Sequence, residues 1–275
     1  MFLRCNGKLL DLSVPVVMGI VNITPDSFYS GSRKTNATEI IRTCETMLME
    51  GASLLDVGGY STRPGATPVD EEEECRRVTG AVKAIMKAFP DARISVDTFR
   101  SNVANAALEE GACMVNDISA GEDDVEMMQL VAQKQVPYIM MHKRGNPQTM
   151  SSLTQYTDVV MDIVDYFIQK LHQAREYKLH DIIIDPGFGF AKTMEQNYTM
   201  LGKLPLFTQL QKPVLVGISR KQMLRRLHNV DTEEALNGTS VAKTIALVKG
   251  ASILRVHDVK EAIQCVKIVK AISPE

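Results

Sequence analysis

The chain has 275 residues, of which 45% are hydrophobic and 23% charged, and its formal net charge is -2 at pH 7. These figures suit two small domains or one large barrel, and they exclude a disordered, collagen-like or strongly basic chain. With no broad basic field, neither a nucleic acid nor a membrane surface is expected as a partner, and any anion site must be local.

From the N-terminus, Arg4, Lys8 and Asp11 interrupt the first apolar residues, so no secretory leader is expected. No later run reaches the roughly eighteen residues that a membrane span needs, and a cytoplasmic location is the default. Eight short apolar runs follow, at 14–22, 53–59, 93–98, 114–119, 137–142, 181–187, 213–219 and 252–258. Between and after them, helical spacing covers 37–50, 70–88, 101–110, 123–134, 153–178, 195–204, 238–249 and 259–272. Runs such as Ile182-Ile183-Ile184 are apolar throughout, as expected of strands buried on both faces of a parallel sheet. Asp70 and Ser101 read as helix caps, and the acidic turn after Asp70 complements a helix dipole. The alternation predicts an α/β protein, a single (β/α)8 barrel domain over 1–275, with an open doubly wound sheet as the structural alternative. Neither a phosphate loop nor a dinucleotide fingerprint is present to favour that alternative. The five cysteines are scattered without metal-ligand spacing and read as reduced thiols.

Nearly every run ends in a polar residue, which places the chemistry at one end of the barrel. Arg255 and His257 stand at i and i+2 on the last strand and face the same way, a pairing suited to phosphate oxygens. Arg63, in the long loop after the second strand, is a candidate for the same anion. Asn22 ends the first strand and offers a hard amide oxygen suited to magnesium or, equally, to bonding loop backbone. Asp97, Asn116, Asp185 and Lys221 form the opposite chemical set, matched to the hydrogen-bonding edge of a nitrogen-rich heterocycle. Asp97 and Asp185 are also readable as an acid/base pair, or as ion-pair partners of Lys221 and Arg255. Met140 and Met141 are candidate walls for an aromatic ligand, and His142 reads as packing behind the mouth. An anionic leaving group beside a heterocycle pocket favours displacement over hydrolysis, since no hydrolytic triad signature occurs.

These residues lie in ordered blocks that closely resemble the dihydropteroate synthase family. The blocks are Met18-Gly19-Ile20-Val21-Asn22-Ile23-Thr24-Pro25-Asp26-Ser27-Phe28, Asp56-Val57-Gly58-Gly59, Ser61-Thr62-Arg63-Pro64-Gly65-Ala66, Ser95-Val96-Asp97-Thr98, Val115-Asn116-Asp117, Asp185-Pro186-Gly187-Phe188-Gly189-Phe190, Ser219-Arg220-Lys221 and Arg255-Val256-His257-Asp258. The resemblance implies a barrel enzyme that joins 6-hydroxymethyl-7,8-dihydropterin diphosphate to 4-aminobenzoate and releases diphosphate. It implies that Asp97, Asn116, Asp185 and Lys221 bind the pterin, and that Asn22, Thr62, Arg63, Arg255 and His257 handle diphosphate and its Mg2+. It further implies that Thr24, Pro25, Asp26, Ser27 and Phe28 form a lid, and that Thr62 to Pro64 closes beside it. Phe190, Ser219 and Lys221 would line the aminobenzoate pocket, where sulfonamides would compete. Asp97, Lys221, Arg255 and His257 are the expected catalytic residues, and a homodimer through helices of the C-terminal half is the expected assembly. Two stretches depart from the family pattern, Tyr29 to Arg33 in the first loop and Tyr60, where many relatives carry Glu. A pterin-dependent methyltransferase and a non-catalytic pterin-binding paralogue are the neighbouring alternatives, disfavoured by the retained anion-binding residues.

Overall fold

The computed structural model describes residues 1–23, 33–61 and 68–272, apart from the side chains of 33–36. Eight parallel strands form the sheet that the apolar runs predict. They are β3 (Val16–Asn22), β4 (Leu54–Gly58), β5 (Ile94–Asp97), β6 (Met114–Asp117), β7 (Tyr138–Met141), β8 (Ile182–Asp185), β9 (Leu215–Val216) and β10 (Ile253–Val256). Their order is β8-β7-β6-β5-β4-β3-β10-β9, and a parallel bridge between Ile184 and Val214 brings the two ends of the sheet together. The run predicted at 213–219 thus shrinks to a two-residue strand.

The helices on the outside are α1 (Arg33–Glu50), α2 (Glu71–Ala88), α3 (Ser101–Glu109), α4 (Met127–Lys134), α5 (Val159–Glu176), α6 (Met194–Gly202), α7 (Pro205–Thr208), α8 (Gln222–His228), α9 (Leu236–Val248) and α10 (Val259–Ile272). Asp70 caps α2 as expected, its carboxylate accepting the Glu73 amide at 3.0 Å. Ser101 does not cap α3. Arg100 holds the cap position, and the Ser101 amide donates to Asp124 Oδ2 at 2.7 Å. Helix α5 starts at 159 rather than 153 because Asp158 takes the amides of Val160 and Met161, which fixes the first turn there.

Before the barrel, β1 (Phe2–Cys5) and β2 (Lys8–Asp11) form an antiparallel hairpin that the apolar-run reading did not anticipate. Asn6 and Gly7 turn it with φ of 48° and 74°, the left-handed pair that a two-residue hairpin requires. Its Leu3, Cys5 and Leu10 pack on Met18, Leu54, Met114, Ile139, Ile183, Leu215 and Ile253, which lie towards the strand starts, so the hairpin plugs the amino end of the barrel. The opposite faces of these strands, including Val17, Leu55, Val96, Val115, Met140 and Leu254, pack against helix residues such as Val82, Ile85, Phe167 and Val259. Each such side chain contributes about 1.5 to 3 kcal/mol on burial.

Side chains alternate along a strand, so the inward row at the barrel floor determines the row above it. Two residues beyond Met18, Leu54, Met114, Ile183 and Ile253 come Ile20, Asp56, Asn116, Asp185 and Arg255. Two further along β3 and β10 come Asn22 and His257. An apolar floor therefore passes directly into a polar mouth.

Candidate functional site at the carboxyl end of the barrel

The strand register sets Asp97 beside Asn116 on one side and Gly58 on the other. A Cβ at Gly58 would sit 3.3 Å from Asp97 Cβ, so glycine leaves the room that this carboxylate needs. Arg255 reaches across the mouth and donates from Nε to Asp56 Oδ2 and from Nη2 to Asp97 Oδ2, both at 2.6 Å. Asn116 Nδ2 donates to the same Asp56 oxygen at 3.0 Å. The other oxygen, Asp56 Oδ1, is buried with no hydrogen-bond partner among the described residues. Asp56 is fully buried, and a carboxylate there is tolerable only because Arg255 compensates its charge.

The ion pair of Asp97 with Arg255, one of the alternatives open in the sequence, is therefore present, and it draws Arg255 toward the acidic end of the mouth. Asp56 was quoted within a motif but not singled out as a site residue. Its signal was a lone carboxylate inside the apolar run Leu54-Leu55-Asp56-Val57, mid-strand rather than at the exit.

Asp185 closes the acidic set at the end of β8, with Oδ1 accepting the Gly187 amide at 2.8 Å. Lys221, at the cap position of α8, donates to the Phe188 carbonyl and lies 4.6 Å from the centroid of the Phe190 ring. A Cβ at Gly189 would come within 3.1 Å of Lys221 Cδ, so the lysine stem lies flush on this loop. Burial lowers the Lys221 ammonium to about 8, with Asp185 opposing the shift and Arg255 adding to it. Burial raises Asp97 to about 7 against the pull of Arg255, with Asp56, Glu74 and Asp117 adding repulsion. Burial also raises Asp185, opposed by Lys221 and the Gly187 amide.

The loop from Gly187 to Phe190 rests on Lys192, which the sequence reading passed over. Its ammonium is buried and donates to the carbonyls of Gly187 at 2.9 Å and Phe190 at 2.8 Å, and stands 3.1 Å from His142 Nδ1. Burial, then the neighbouring Lys192, pushes His142 down to about 2, so the ring is a neutral acceptor behind the mouth. His142 is thus packing, as expected.

On the other rim, Ser219 Oγ lies 3.4 Å from His257 Nδ1 and also accepts the His257 amide at 3.4 Å. Arg220 binds Asp258 through Nε at 3.0 Å and Nη2 at 2.7 Å, and its Nη1 donates to the Thr232 carbonyl at 2.9 Å. This fork ties the Ser219-Arg220-Lys221 turn to the end of β10. Arg220 adopts φ of 52°, so the turn is held in a conformation that its own backbone does not favour.

Met140 is corrected. It lies in the outer core between sheet and helices, because Ile139 faces inward and its neighbours must face out. Met141 is the methionine of that pair on the mouth side. Thr24, Pro25, Asp26, Ser27, Phe28, Thr62, Arg63 and Pro64 lie outside the described residues. Asn22 is exposed at the end of β3. Among the described residues no group of three His, Cys, Asp or Glu could hold a cation. Asn22 offers a single amide oxygen, a hard donor of the kind that magnesium accepts beside water and ligand oxygens.

A family model described as pterin binding enzyme matches residues 18–257. Dihydropteroate synthase of Escherichia coli strain K12 is 40% identical over 273 residues, covering 98% of this chain and 96% of its own length. Among solved structures, a Yersinia pestis dihydropteroate synthase in complex with a sulfonamide drug superposes with a TM-score of 0.92 at 38% identity, covering 99% of each chain. A Xanthomonas albilineans dihydropteroate synthase bound to 4-aminobenzoic acid gives 0.91 at 36% identity, covering 100% of this chain and 98% of that one. A complex with 7,8-dihydropteroate from the same species gives 0.88 at 34% identity over 100% of both chains.

Proposed function

The chain belongs to the dihydropteroate synthase family of pterin-binding enzymes and is a transferase, and we propose that it condenses 6-hydroxymethyl-7,8-dihydropterin diphosphate with 4-aminobenzoate in folate biosynthesis. The observation that carries this reading is the polar well at the carboxyl end of the barrel, where Asp97, Asn116 and Asp185 stand at strand ends with Arg255 bridging Asp56 and Asp97. Asp97, Asn116 and Asp185 supply acceptors and an amide for the pterin's amino and ring N–H groups, and Lys221 supplies a donor for its carbonyl or ring nitrogen. Charge-assisted bonds of this kind contribute about 1.5 to 3 kcal/mol each, enough to fix the ring's orientation.

Asn22, Thr62, Arg63, Arg255 and His257 are assigned to the diphosphate. A Mg2+ held by Asn22, water and the diphosphate would neutralise charge on the departing oxygens. In the reaction the methylene C–O bond breaks and its electron pair leaves with diphosphate. The amine nitrogen of 4-aminobenzoate then attacks the methylene cation and loses a proton. Asp97, ionised beside Arg255, stabilises the cation electrostatically. Phe190, Ser219 and Lys221 line the arylamine pocket, and the family resemblance assigns a covering role to Thr24, Pro25, Asp26, Ser27, Phe28 and Pro64.

The same reading makes residues 1–275 one domain of a cytoplasmic homodimer. Among the described residues no helix is long and apolar enough to cross a membrane. Val241, Ile245 and Val248 on α9, with Ile268 and Ile272 on α10, leave an exposed apolar face on two adjacent C-terminal helices that suits a dimer contact. The test is to follow diphosphate release from the dihydropterin diphosphate with Mg2+, with and without 4-aminobenzoate, while identifying the pterin product by mass. Arylamine-dependent release with dihydropteroate formed, lost when the metal is chelated, is expected. Tight pterin binding with no turnover would contradict it.

A further inference from the structure

Lys192 is buried, and among the described residues its hydrogen bonds meet no carboxylate. Its donors go to the Gly187 carbonyl at 2.9 Å, to the Phe190 carbonyl at 2.8 Å and to His142, whose Nδ1 lies at 3.1 Å and whose carbonyl oxygen lies at 3.4 Å. Burying an ammonium is costly, and an apolar side chain would fill the same space without that cost. What the ammonium supplies here is a hold on both ends of the loop from Gly187 to Phe190.

Asn197, buried on α6, grips the middle of the same loop. Its Oδ1 accepts the Gly189 amide at 2.7 Å, and its Nδ2 donates to the carbonyls of Thr193 at 2.6 Å and Lys192 at 3.4 Å. Helix α6 does not need this side chain to begin, because Thr193 and Gln196 already exchange hydrogen bonds as a capping box. The loop does need it. Ala191 is held at φ of 50°, which a residue bearing a Cβ does not favour, so the chain leaves the loop under constraint. Asp185 takes the Gly187 amide and Lys221 serves the Phe188 carbonyl, so every residue of the loop has a backbone group held by a side chain from outside it. Helix α6 also reaches the lysine's own helix. Tyr198 Oη donates at 3.1 Å to the carbonyl of Met223 on α8, two residues beyond Lys221. Phe190 and Lys221, whose ammonium stands 4.6 Å from the ring centroid, are thus set against each other from one support.

We propose that Lys192 and Asn197 are positioning residues for the synthase reaction, a cradle that holds the Gly187 to Phe190 loop so that Phe190 stands against Lys221 as one wall of the arylamine pocket. This rests on the proposed function, which assigns Phe190 and Lys221 to 4-aminobenzoate. The cradle acts on the arylamine end and leaves the pterin well to Asp97, Asn116 and Asp185, which are carried by the strands.

Lys192→Met keeps the length of the side chain and removes its donors. Asn197→Ala releases the Gly189 amide with a smaller disturbance, so one variant remains should the other fail to fold. Each is expected to weaken binding of 7,8-dihydropteroate about tenfold by calorimetry, while 6-hydroxymethylpterin, which lacks the arylamine, stays within about threefold. In a Phe190→Ala background the further loss of dihydropteroate affinity from either variant is expected to fall below about twofold, because the ring they act through is gone, whereas a general loss of stability would add in full. Amide hydrogen exchange reads the loop without any ligand. Exchange at Gly189 and Phe190 at least about tenfold faster in both variants, with β8 and α8 protected as in wild type, supports the hold on the loop. That result stands whether or not the wild-type protein prefers dihydropteroate to 6-hydroxymethylpterin, and a wild-type protein without the preference contradicts the proposed function instead. Unchanged exchange at those two amides, equal losses for both ligands, or full additivity with Phe190→Ala overturns the proposal.

Discussion

Arg255 spends two of its donors on Asp56 and Asp97, so its removal reaches further than the loss of one diphosphate contact. Arg255→Ala leaves two buried carboxylates uncompensated, and it is expected to weaken binding of both the diphosphate substrate and the diphosphate-free pterin. Lys221→Ala, in contrast, is expected to weaken pterin and arylamine recognition while sparing inorganic diphosphate, and parallel calorimetric titrations would separate the two. Asp56→Asn removes the charge that balances Arg255 while keeping the shape. It is expected to cost about 3 kcal/mol of stability, read from denaturant melts, because it breaks a largely buried pair. The same group of charges predicts a narrow pH optimum. Below about 7 Asp97 takes up a proton and weakens its bond to Arg255, and above about 8 Lys221 loses its proton. A bell-shaped kcat/KM with limbs near those values is expected, and a flat profile across the same range would show that neither ionisation matters. Of this cluster, Asp97, Asn116, Asp185, Lys221 and Arg255 were legible because each stands at or near a strand exit. Asp56 was missed because it stands lower in the strand. Met140 was misassigned because two consecutive methionines leave the inward one ambiguous until the register is known.

The strands and most helices were readable from apolar runs and helical spacing, since a buried parallel strand has few ways to look different. Their ends were less readable, and the reasons are local bonds. Asp158 delays the start of α5, and Asp124 accepts the amide of Ser101 itself, which lies in the first turn of α3 instead of capping it. The hairpin at the N-terminus was legible in principle through Asn6-Gly7 but is too short to register as an apolar run. The caps yield a direct test: Asp70→Ala should destabilise the fold by about 1 kcal/mol, measured by chemical denaturation, without changing pterin affinity. The loop at Gly187 is less forgiving. With φ of 72°, and a Cβ that would lie 2.0 Å from the His142 carbonyl oxygen, Gly187→Ala must displace β7's exit or the loop that carries Phe188. It is expected to abolish pterin binding in a chain that still shows native helical content by circular dichroism.

The barrel as a whole explains why polar residues hundreds of positions apart converge. Closing eight strands puts the exits of β4, β5, β6, β8 and β10 around one mouth, and strand alternation turns one inward residue of each toward the others. That arrangement was implicit in the sequence as spacing, whereas the cross-mouth pairing of Arg255 with Asp56 depends on closure and could not be read from any one segment. The support beneath the mouth, Lys192 under the Gly187 to Phe190 loop and the Arg220–Asp258 fork, was hidden for the same reason. The central claim is that the acidic well holds the pterin ring independently of diphosphate, and its most direct measurement is equilibrium binding of 6-hydroxymethylpterin to the wild-type protein and to Asp185→Asn. Tight binding by wild type with a loss of tenfold or more, on the order of 1.4 kcal/mol, in the variant is the predicted result. Equal affinity in the two proteins would contradict the assignment of the well.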